Sequence, residues 1–315
     1  MLPHHTPVPH PMHIHDVFQH TRQTFSFEFF PPKSADAASE LFAAVKELEP
    51  LAPTFVSVTY GAGGTTRELT NDLVVRLKQE TPLNPVPHLT CVAHTEAEID
   101  RILARYAQAG ISNILALRGD LPKGMTESEG FSSFPTAASL VRHIRKFGEK
   151  GNHPDRRGFG IGIAGYPEGH PATPNRLLEI DYLKAKADEG ASYIITQLFF
   201  ENRDFLDFRA RCEFAGIRIP IIAGIMPITS IQGMKRMADL AAGARIPAPL
   251  LRAIGRTGGD AEAVRRVGVH WATEQCRDLL EHNVAGIHLY TLNKSTATRE
   301  IYATLGVKDS SGLRG

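Results

Sequence analysis

The stretch FSFEFFPPKS, residues 25–34, decides between two folds that this sequence could adopt. Its first six residues are mostly aromatic and predict a buried β-strand, which the two prolines then end. In a doubly wound open sheet, the first strand normally leads into a glycine-rich turn that binds phosphate. Because two prolines and a lysine follow the strand here instead, the stretch favours a closed barrel over an open sheet.

Seven similar stretches follow along the chain, and segments with apolar residues at helical spacing separate them. Strands that alternate with helices predict parallel βαβ units. Eight such units close into a (β/α)8 TIM barrel, which is an α/β fold. The predicted strands are residues 25–30, 55–61, 86–91, 113–120, 159–168, 193–200, 219–227 and 286–293.

We expect a single domain with short flanking segments. Residues 25–305 form the predicted barrel, with an insertion at 245–260, and residues 306–315 form a C-terminal tail. Residues 1–24 begin with several histidines set among prolines. These histidines could bind a metal ion, but the prolines prevent a regular ligand geometry, so we predict a flexible leader.

The composition limits the classes of partner. The chain of 315 residues has 35 Lys and Arg against 34 Asp and Glu, a formal net charge of +1. This balance provides no basic field for nucleic acid, so small molecules are the expected partners. The 3 cysteines lie far apart without a CxxC pair, which argues against disulfides and a metal site and indicates the reducing cytoplasm. We find no signal peptide and no apolar run near the ~20 residues that span a bilayer.

Polar side chains follow nearly every predicted strand, at the end where TIM barrels carry their chemistry. Each of them alone has a structural alternative. His88 could be a core histidine, Gln197 could cap a strand, and Arg118 could form an ordinary ion pair with Asp120. Their density at one rim is what predicts a functional site. The residues are Glu28, Thr59, Tyr60, His88, Thr90, Arg118, Asp120, Tyr166, Glu168, His170, Gln197 and Tyr290.

Eight segments, in this order and spacing, resemble the methylenetetrahydrofolate reductase family: FSFEFFPPKS, FVSVTYGAGGTTRE, PHLTC, ALRGD, AGYPEGHP, ITQLFF, GIMPI and YTLN. The resemblance covers residues 25–305 and is closest to the short prokaryotic form. It implies a flavoprotein oxidoreductase, a homo-oligomeric TIM barrel that binds FAD. NADH or NADPH would reduce the flavin, which would then reduce 5,10-methylenetetrahydrofolate to 5-methyltetrahydrofolate in a ping-pong scheme. This reaction would feed one-carbon metabolism and methionine biosynthesis.

The resemblance also implies two catalytic residues. Glu28 would be the general acid that protonates N10 of the folate, and its apolar neighbours are expected to raise its pKa so that it holds a proton. A structural ion pair with a Lys or Arg is the alternative for Glu28. Asp120 would lie between flavin and pterin, where its charge would stabilise the cation that forms at N5.

The remaining site residues are implied by the same resemblance. Those for the cofactor are Thr59, Tyr60, His88, Arg118, Gly119, Asp120, Ala137, Tyr166, His170, Tyr182 and Lys186; those for the folate are Gln197, Phe199, Tyr290 and Lys294. Phe199 suits the hydrophobic core equally well. Lys294 and Gly233 depart from the arginine and glutamine of some family members, so the folate contacts and the choice between NADH and NADPH stay open.

Two alternatives remain at this stage. The chain could be a barrel that acts on folate without a flavin, or a non-catalytic subunit that binds folate or flavin for a partner enzyme. The presence of both Glu28 and Asp120 favours the reductase over the second alternative.

Overall fold

The eight predicted strands form a closed, parallel barrel in which each strand pairs with its neighbour in sequence and the last pairs with the first. The computed structural model describes residues 13–60, 67–241 and 244–313. The strands are β1 Thr24–Phe29, β2 Phe55–Val58, β3 Pro85–Thr90, β4 Asn113–Leu117, β5 Gly160–Gly165, β6 Tyr193–Thr196, β7 Ile221–Ile225 and β8 Gly286–Tyr290. The prediction of a single-domain (β/α)8 barrel is therefore confirmed.

Several predicted strands extend too far at their carboxyl ends. The stretch 193–200, for example, is a strand only as far as Thr196. Just beyond it, the Gln197 amide still donates a hydrogen bond to the Gly165 carbonyl, and the chain then leaves the sheet. The strands were predicted too long because the rim residues directly follow them in sequence. These residues lie at the ends of the strands but are not part of them.

Helices surround the barrel and alternate with its strands. They are α1 Ile14–His20, α2 Ala35–Leu48, α3 Arg67–Glu80, α4 Glu96–Gln108, α5 Glu127–Gly130, α6 Ala137–Glu149, α7 Arg176–Asp188, α8 Asn202–Phe214, α9 Ile231–Leu240, α10 Ala248–Gly255, α11 Ala261–Glu281 and α12 Thr296–Thr304, with 3-10 turns at Glu49–Leu51 and Ser310–Leu313. The predicted insertion contributes α10. Across the described ranges, no helix is both long and apolar enough to cross a membrane.

Side chains alternate between two environments along each strand, because successive residues of a strand point to opposite faces. On β1, Phe25 and Phe27 contact Tyr302 of α12 and belong to the core between strands and helices. Ser26 and Glu28 point the other way, into the barrel. Ser26 pairs in register with Phe55 of β2, which belongs to an apolar layer inside the barrel, and Glu28 lies two residues further along β1. The layer includes Phe55, Val86, Leu115, Tyr193, Ile195 and Ile222.

Helix α1 closes the opposite, amino-terminal end of the barrel. Ile14 and Val17 are each 1% exposed and pack against the apolar layer. The Ile14 amide donates to Asn113 Oδ1 at 2.7 Å, and Arg157 pairs with Asp16 at 2.6 Å. The prediction of a flexible leader therefore does not hold for residues 13–24, because two apolar residues one helical turn apart bury themselves there. His4, His5 and His10 lie outside the described residues.

Candidate active site at the carboxyl ends of the strands

Glu28 lies inside the barrel near its open end, with 6% of its surface exposed. Side chains from three other strands approach its Oε2 atom. Ser57 Oγ of β2 donates to it at 3.4 Å, and His288 Nε2 of β8 lies 3.5 Å away. His88 Nε2 of β3 lies 3.4 Å from the same oxygen. The carboxylate is thus paired, and its partners are histidines in place of the Lys or Arg considered above.

These neighbours reverse the expected pKa shift of Glu28. Burial alone raises the pKa of the carboxyl, but the contacts with His288 and His88 outweigh it and lower the pKa to about 2. The prediction of a raised pKa was wrong because the phenylalanines beside Glu28 in sequence face the helices. Its real surroundings come from other strands and are polar. Glu28 by itself is therefore a carboxylate at neutral pH.

His288 was missed by the sequence analysis, although strand alternation could have revealed it, since it lies two residues before Tyr290 on the same face. It is fully buried, and its Nδ1 lies 2.7 Å from Ser26 Oγ. Its ring stacks on Phe55, with centroids 6.2 Å apart and an interplanar angle of 22°. His288 therefore has a fixed position next to Glu28.

Two buried polar atoms of β3 have no hydrogen-bond partner among the described residues. They are His88 Nε2, which approaches Glu28 without the alignment of a hydrogen bond, and Thr90 Oγ1. Buried hydrogen-bonding atoms are nearly always satisfied in folded proteins. We conclude that this wall of the barrel is suited to a polar bound molecule.

The segment after β4 approaches this wall closely. Gly119 has φ +81°, and a Cβ added to it would lie 2.9 Å from the side chains of Thr90 and Val92, so only glycine fits. Arg118 pairs with Glu127 and stacks 3.8 Å above the ring of Phe131. The alternative of an Arg118–Asp120 ion pair is therefore wrong, and Asp120 is left exposed at the mouth of the barrel.

On the other side of the mouth, the residues predicted after β5 and on α7 come together. The Tyr166 ring packs edge-on against His170, with centroids 4.7 Å apart. Burial and the nearby charge of Asp120 raise the pKa of Tyr166 to about 12. Half-buried Lys186 donates to the Ala164 carbonyl at 2.9 Å, and burial lowers its pKa to about 8. Tyr182, one turn earlier on α7, is 54% exposed.

The residues predicted after β2 anchor that part of the rim. The Thr59 amide donates to the Phe29 carbonyl at 2.9 Å, which extends the ladder between β1 and β2. Tyr60 is buried, and its hydroxyl lies 3.1 Å from His94 Nε2. Because His94 Nδ1 lies 3.1 Å from the Val92 carbonyl, which can only accept, Nδ1 carries the proton and Nε2 accepts from Tyr60. Residues 61–66, which follow in the sequence, lie outside the described residues.

The predicted folate residues do not all lie at the rim. Tyr290 does, and its hydroxyl donates to the Thr196 carbonyl at 2.8 Å. Gln197 is half-buried beside it, and Lys294 is exposed. Phe199 instead is fully buried and stacks on Phe205 of α8, with centroids 5.4 Å apart. It is a core residue, and the assignment of Phe199 to substrate stacking needs correction.

Ala137, which was predicted to contact the cofactor, is the first residue of α6, and Thr136 caps that helix. In the described ranges, no group of three His, Cys, Asp or Glu side chains is arranged to hold a metal ion. The three cysteines are free and buried.

The chain is similar to known proteins over most of its length. A family model described as "Methylenetetrahydrofolate reductase" matches residues 13–306. "Methylenetetrahydrofolate reductase (NADH) 1" of Arabidopsis thaliana is 40% identical over 313 residues, covering 95% of this chain and 51% of the plant protein. "5,10-methylenetetrahydrofolate reductase" of Escherichia coli K12 is 37% identical over 283 residues, 90% of either chain. The chain thus spans about half the length of its plant relative and most of its bacterial one.

Among solved structures, one similar chain is described as "Uncharacterized protein from Clostridium thermocellum binds two copies of 5-methyl-5,6,7,8-tetrahydrofolic acid". It superposes with a TM-score of 0.64 at 13% identity, covering 94% of this chain and 98% of that chain. At this identity the likeness concerns the barrel fold alone.

Proposed function

The chain belongs to the methylenetetrahydrofolate reductase family, and from that premise we propose that it reduces 5,10-methylenetetrahydrofolate to 5-methyltetrahydrofolate with NADH or NADPH, using FAD in a ping-pong scheme. The observation that carries the proposal is the Glu28 carboxyl inside the barrel, below a wall with unsatisfied polar atoms. Free buried cysteines agree with a cytoplasmic enzyme. Homo-oligomeric assembly and a role in methionine biosynthesis belong to the same proposal.

The residues at the mouth fit FAD. Thr90 Oγ1, which has no hydrogen-bond partner among the described residues, can bond the polar edge of a flavin ring, and His88, whose Nε2 approaches Glu28, lies on the same strand. Gly119 allows the backbone to come close to a flat ring system, because no side chain fits at that position. Arg118 and Lys186 supply the positive charge that a pyrophosphate needs. When bound, FAD would supply hydride transfer, which no side chain of the chain can provide.

Asp120 and Glu28 would then act on the folate. Opening its five-membered ring breaks the bond between the bridging carbon and N10, whose electron pair takes a proton delivered by Glu28. Because the pKa of Glu28 is about 2 in this structure, its carboxyl would have to gain that proton in the complex with the folate before it acts as the acid. A cationic iminium remains at N5 until it receives the hydride. Asp120, exposed at the mouth, would stabilise that cation through its negative charge.

An absorbance experiment tests the proposal. The purified protein, supplied with FAD if necessary, is treated without oxygen first with NADH or NADPH and then with methylenetetrahydrofolate. We expect the flavin band to bleach and then to return. A protein that binds no FAD would favour the flavin-free alternative, and a flavin that bleaches but does not return with folate would contradict the proposed substrate.

The Glu28→Gln variant tests the catalytic assignment. It should keep FAD and still oxidise NADH with an artificial acceptor, but it should fail to reduce the folate, because glutamine has no proton to transfer. Glu40→Gln, on the exposed face of α2, is the matched control. Normal folate turnover by Glu28→Gln would refute the role of Glu28 as the acid.

A further inference from the structure

We propose that Arg245 is a positioning residue for the predicted FAD site. By binding Glu168, it fixes the turn at residues 166–169 and, with that turn, the rings of Tyr166 and His170. This inference rests on the proposed function and deepens it. It assigns a role to Glu168, a rim residue that the proposed reaction does not use, and to an arginine that neither the sequence motifs nor the comparisons single out.

The turn follows β5 directly. The Gly169 amide donates to the Tyr166 carbonyl at 3.0 Å, and Gly169 has φ +89°, a backbone conformation that favours glycine. Pro167 occupies the second position, where its fixed φ suits a tight turn. Tyr166 and His170 flank the turn, and their rings contact each other edge-on. A shift of the turn would therefore displace both predicted cofactor residues together.

The turn borders an open cleft of about 390 Å³. Pro167 and Glu168 line the cleft together with residues from α7, α8 and the segment before α10. Apart from Pro167, the residues that line it are charged. Apolar packing, which is non-directional but strong in a core, is therefore weak on this side of the turn. The position of the turn depends here on ion pairs and hydrogen bonds.

Arg245 reaches the turn from the segment before α10. Its backbone amide and its Nε both donate to Glu168 Oε1, at 2.9 Å and 3.0 Å. Its Nη2 donates to both carboxylate oxygens of Asp204 on α8, each at 2.9 Å. Because these charge-assisted bonds have a defined geometry, they restrict position more than a single contact does. Arg245 therefore joins three separate parts of the chain at the rim.

The burial of Glu168 gives this ion pair more weight than a surface pair has. Exposed salt bridges contribute little to stability, but the Glu168 side chain is 5% exposed. Its Oε2 has no hydrogen-bond partner among the described residues, and burial raises the pKa of the carboxyl while the bond with Arg245 opposes that shift. Without Arg245, the turn would hold a buried carboxyl that has lost its charged partner. The turn would then move so that Glu168 reaches water.

Other contacts hold the turn from neighbouring elements. Arg211 Nη2 of α8 donates to the Pro167 carbonyl at 3.3 Å, and the His170 amide donates to Glu179 Oε1 of α7 at 3.0 Å. These two helices follow β5 and β6. Arg245 differs, because it belongs to the connection between β7 and β8. It makes the predicted cofactor side of the mouth depend on a segment much further along the chain.

Release of FAD from the loaded protein tests the inference, because free flavin can be followed by its fluorescence after dilution. We expect Arg245→Gln and Glu168→Gln each to release FAD about tenfold faster, the effect of losing one hydrogen bond to a charged group. The double variant should be no faster than the faster single variant, since both changes break the same contact. Arg157→Gln is the matched control, because Arg157 also joins two carboxylates, Asp16 and Asp155, but at the closed end of the barrel.

Hydrogen exchange gives a second measurement that does not need the cofactor. In the purified protein, mass spectrometry of a peptide that contains residues 166–170 reports the Gly169 and His170 amides, both of which donate hydrogen bonds. Their exchange should accelerate about tenfold in Arg245→Gln and stay unchanged in Arg157→Gln. Asp204→Asn guards against loss of folding, because it leaves the bond between Arg245 and Glu168 in place. It should change both measurements in the same direction, but less.

Unchanged FAD release and unchanged exchange in Arg245→Gln would overturn the inference. Effects of Arg245→Gln and Glu168→Gln that multiply in the double variant would also overturn it, because the two residues would then act separately. An equal effect of Arg157→Gln would do the same, since it would indicate a general loss of stability. If the wild type binds no FAD while exchange at the turn still responds to Arg245→Gln, the proposed function is refuted and the link between Arg245 and the turn is confirmed.

Discussion

His94 makes the stability of this protein depend on pH in a way that can be calculated. It is 4% exposed, accepts a hydrogen bond from Tyr60 and donates one to the Val92 carbonyl. Burial, and then the nearby charge of Arg67, lower its pKa from 6.5 to about 4. The folded protein therefore keeps His94 neutral at pH values where the unfolded chain has already protonated it.

The sign and size of the effect follow from linkage. Between pH 6.5 and 4 the unfolded state binds more protons, so the free energy of unfolding falls as the pH falls. From pH 7.5 to pH 5 the loss through His94 alone is about 2 kcal/mol, and it approaches about 3 kcal/mol below pH 4.

We therefore expect the order of stability of the wild type and His94→Gln to reverse between pH 7.5 and pH 5. At pH 7.5 it should be less stable than the wild type by about 1 kcal/mol, because it loses a buried hydrogen bond. At pH 5 it should be more stable than the wild type by about 1 kcal/mol, because glutamine carries no proton cost. Other titrating groups are common to both proteins and cancel in the difference.

Urea unfolding at the two pH values measures this difference, with His270→Gln as the control for removal of an exposed histidine. If the wild type and His94→Gln differ by the same amount at both pH values, then His94 is not held neutral and the reasoning is refuted. A reversal of the stability order would also show that protonation of His94 weakens the fold next to Tyr60, one of the residues predicted to bind the cofactor.

Three further changes test individual residues of the site. Asp120→Asn should retain FAD but slow folate reduction more than flavin reduction in stopped-flow traces, and equal slowing would argue against stabilisation of a cation. Lys186→Met should weaken FAD binding about tenfold in a fluorescence titration, because it removes a half-buried positive charge, whereas Lys184→Met on the outer side of α7 should not. Phe199→Leu should lower the free energy of unfolding by about 1 kcal/mol and leave the KM for folate unchanged; a raised KM at normal stability would restore its stacking role.

The fold could be predicted from sequence because its signals are local. A strand that is buried on both faces reads as an apolar run, and the helix between two strands shows its own spacing, so neither requires knowledge of distant residues. Helix α1 was not predicted from the sequence. It buries only two apolar residues, too few to stand out beside the prolines before it.

The electrostatics of the site could not be predicted in the same way, because they depend on contacts across the barrel. Glu28 takes its neighbours from β2, β3 and β8, and His288 is 260 residues away in sequence. The aromatic residues beside Glu28 in the chain suggested an apolar setting, but the pleat turns them away from it. Residue identity predicted where the carboxyl would be, and only the closed barrel determines whether it holds a proton.

Among the described residues, helix α1 and the apolar layer close the amino-terminal end of the barrel, where Ile14 and Val17 are buried. A molecule that reaches Glu28 would then enter and leave at the opposite end, the rim that carries Asp120 and Tyr290. Two large reactants that need the same depth of the barrel cannot pass each other on that route. They would then have to bind one after the other, because a short helix at the far end of the molecule closes the second route to the site.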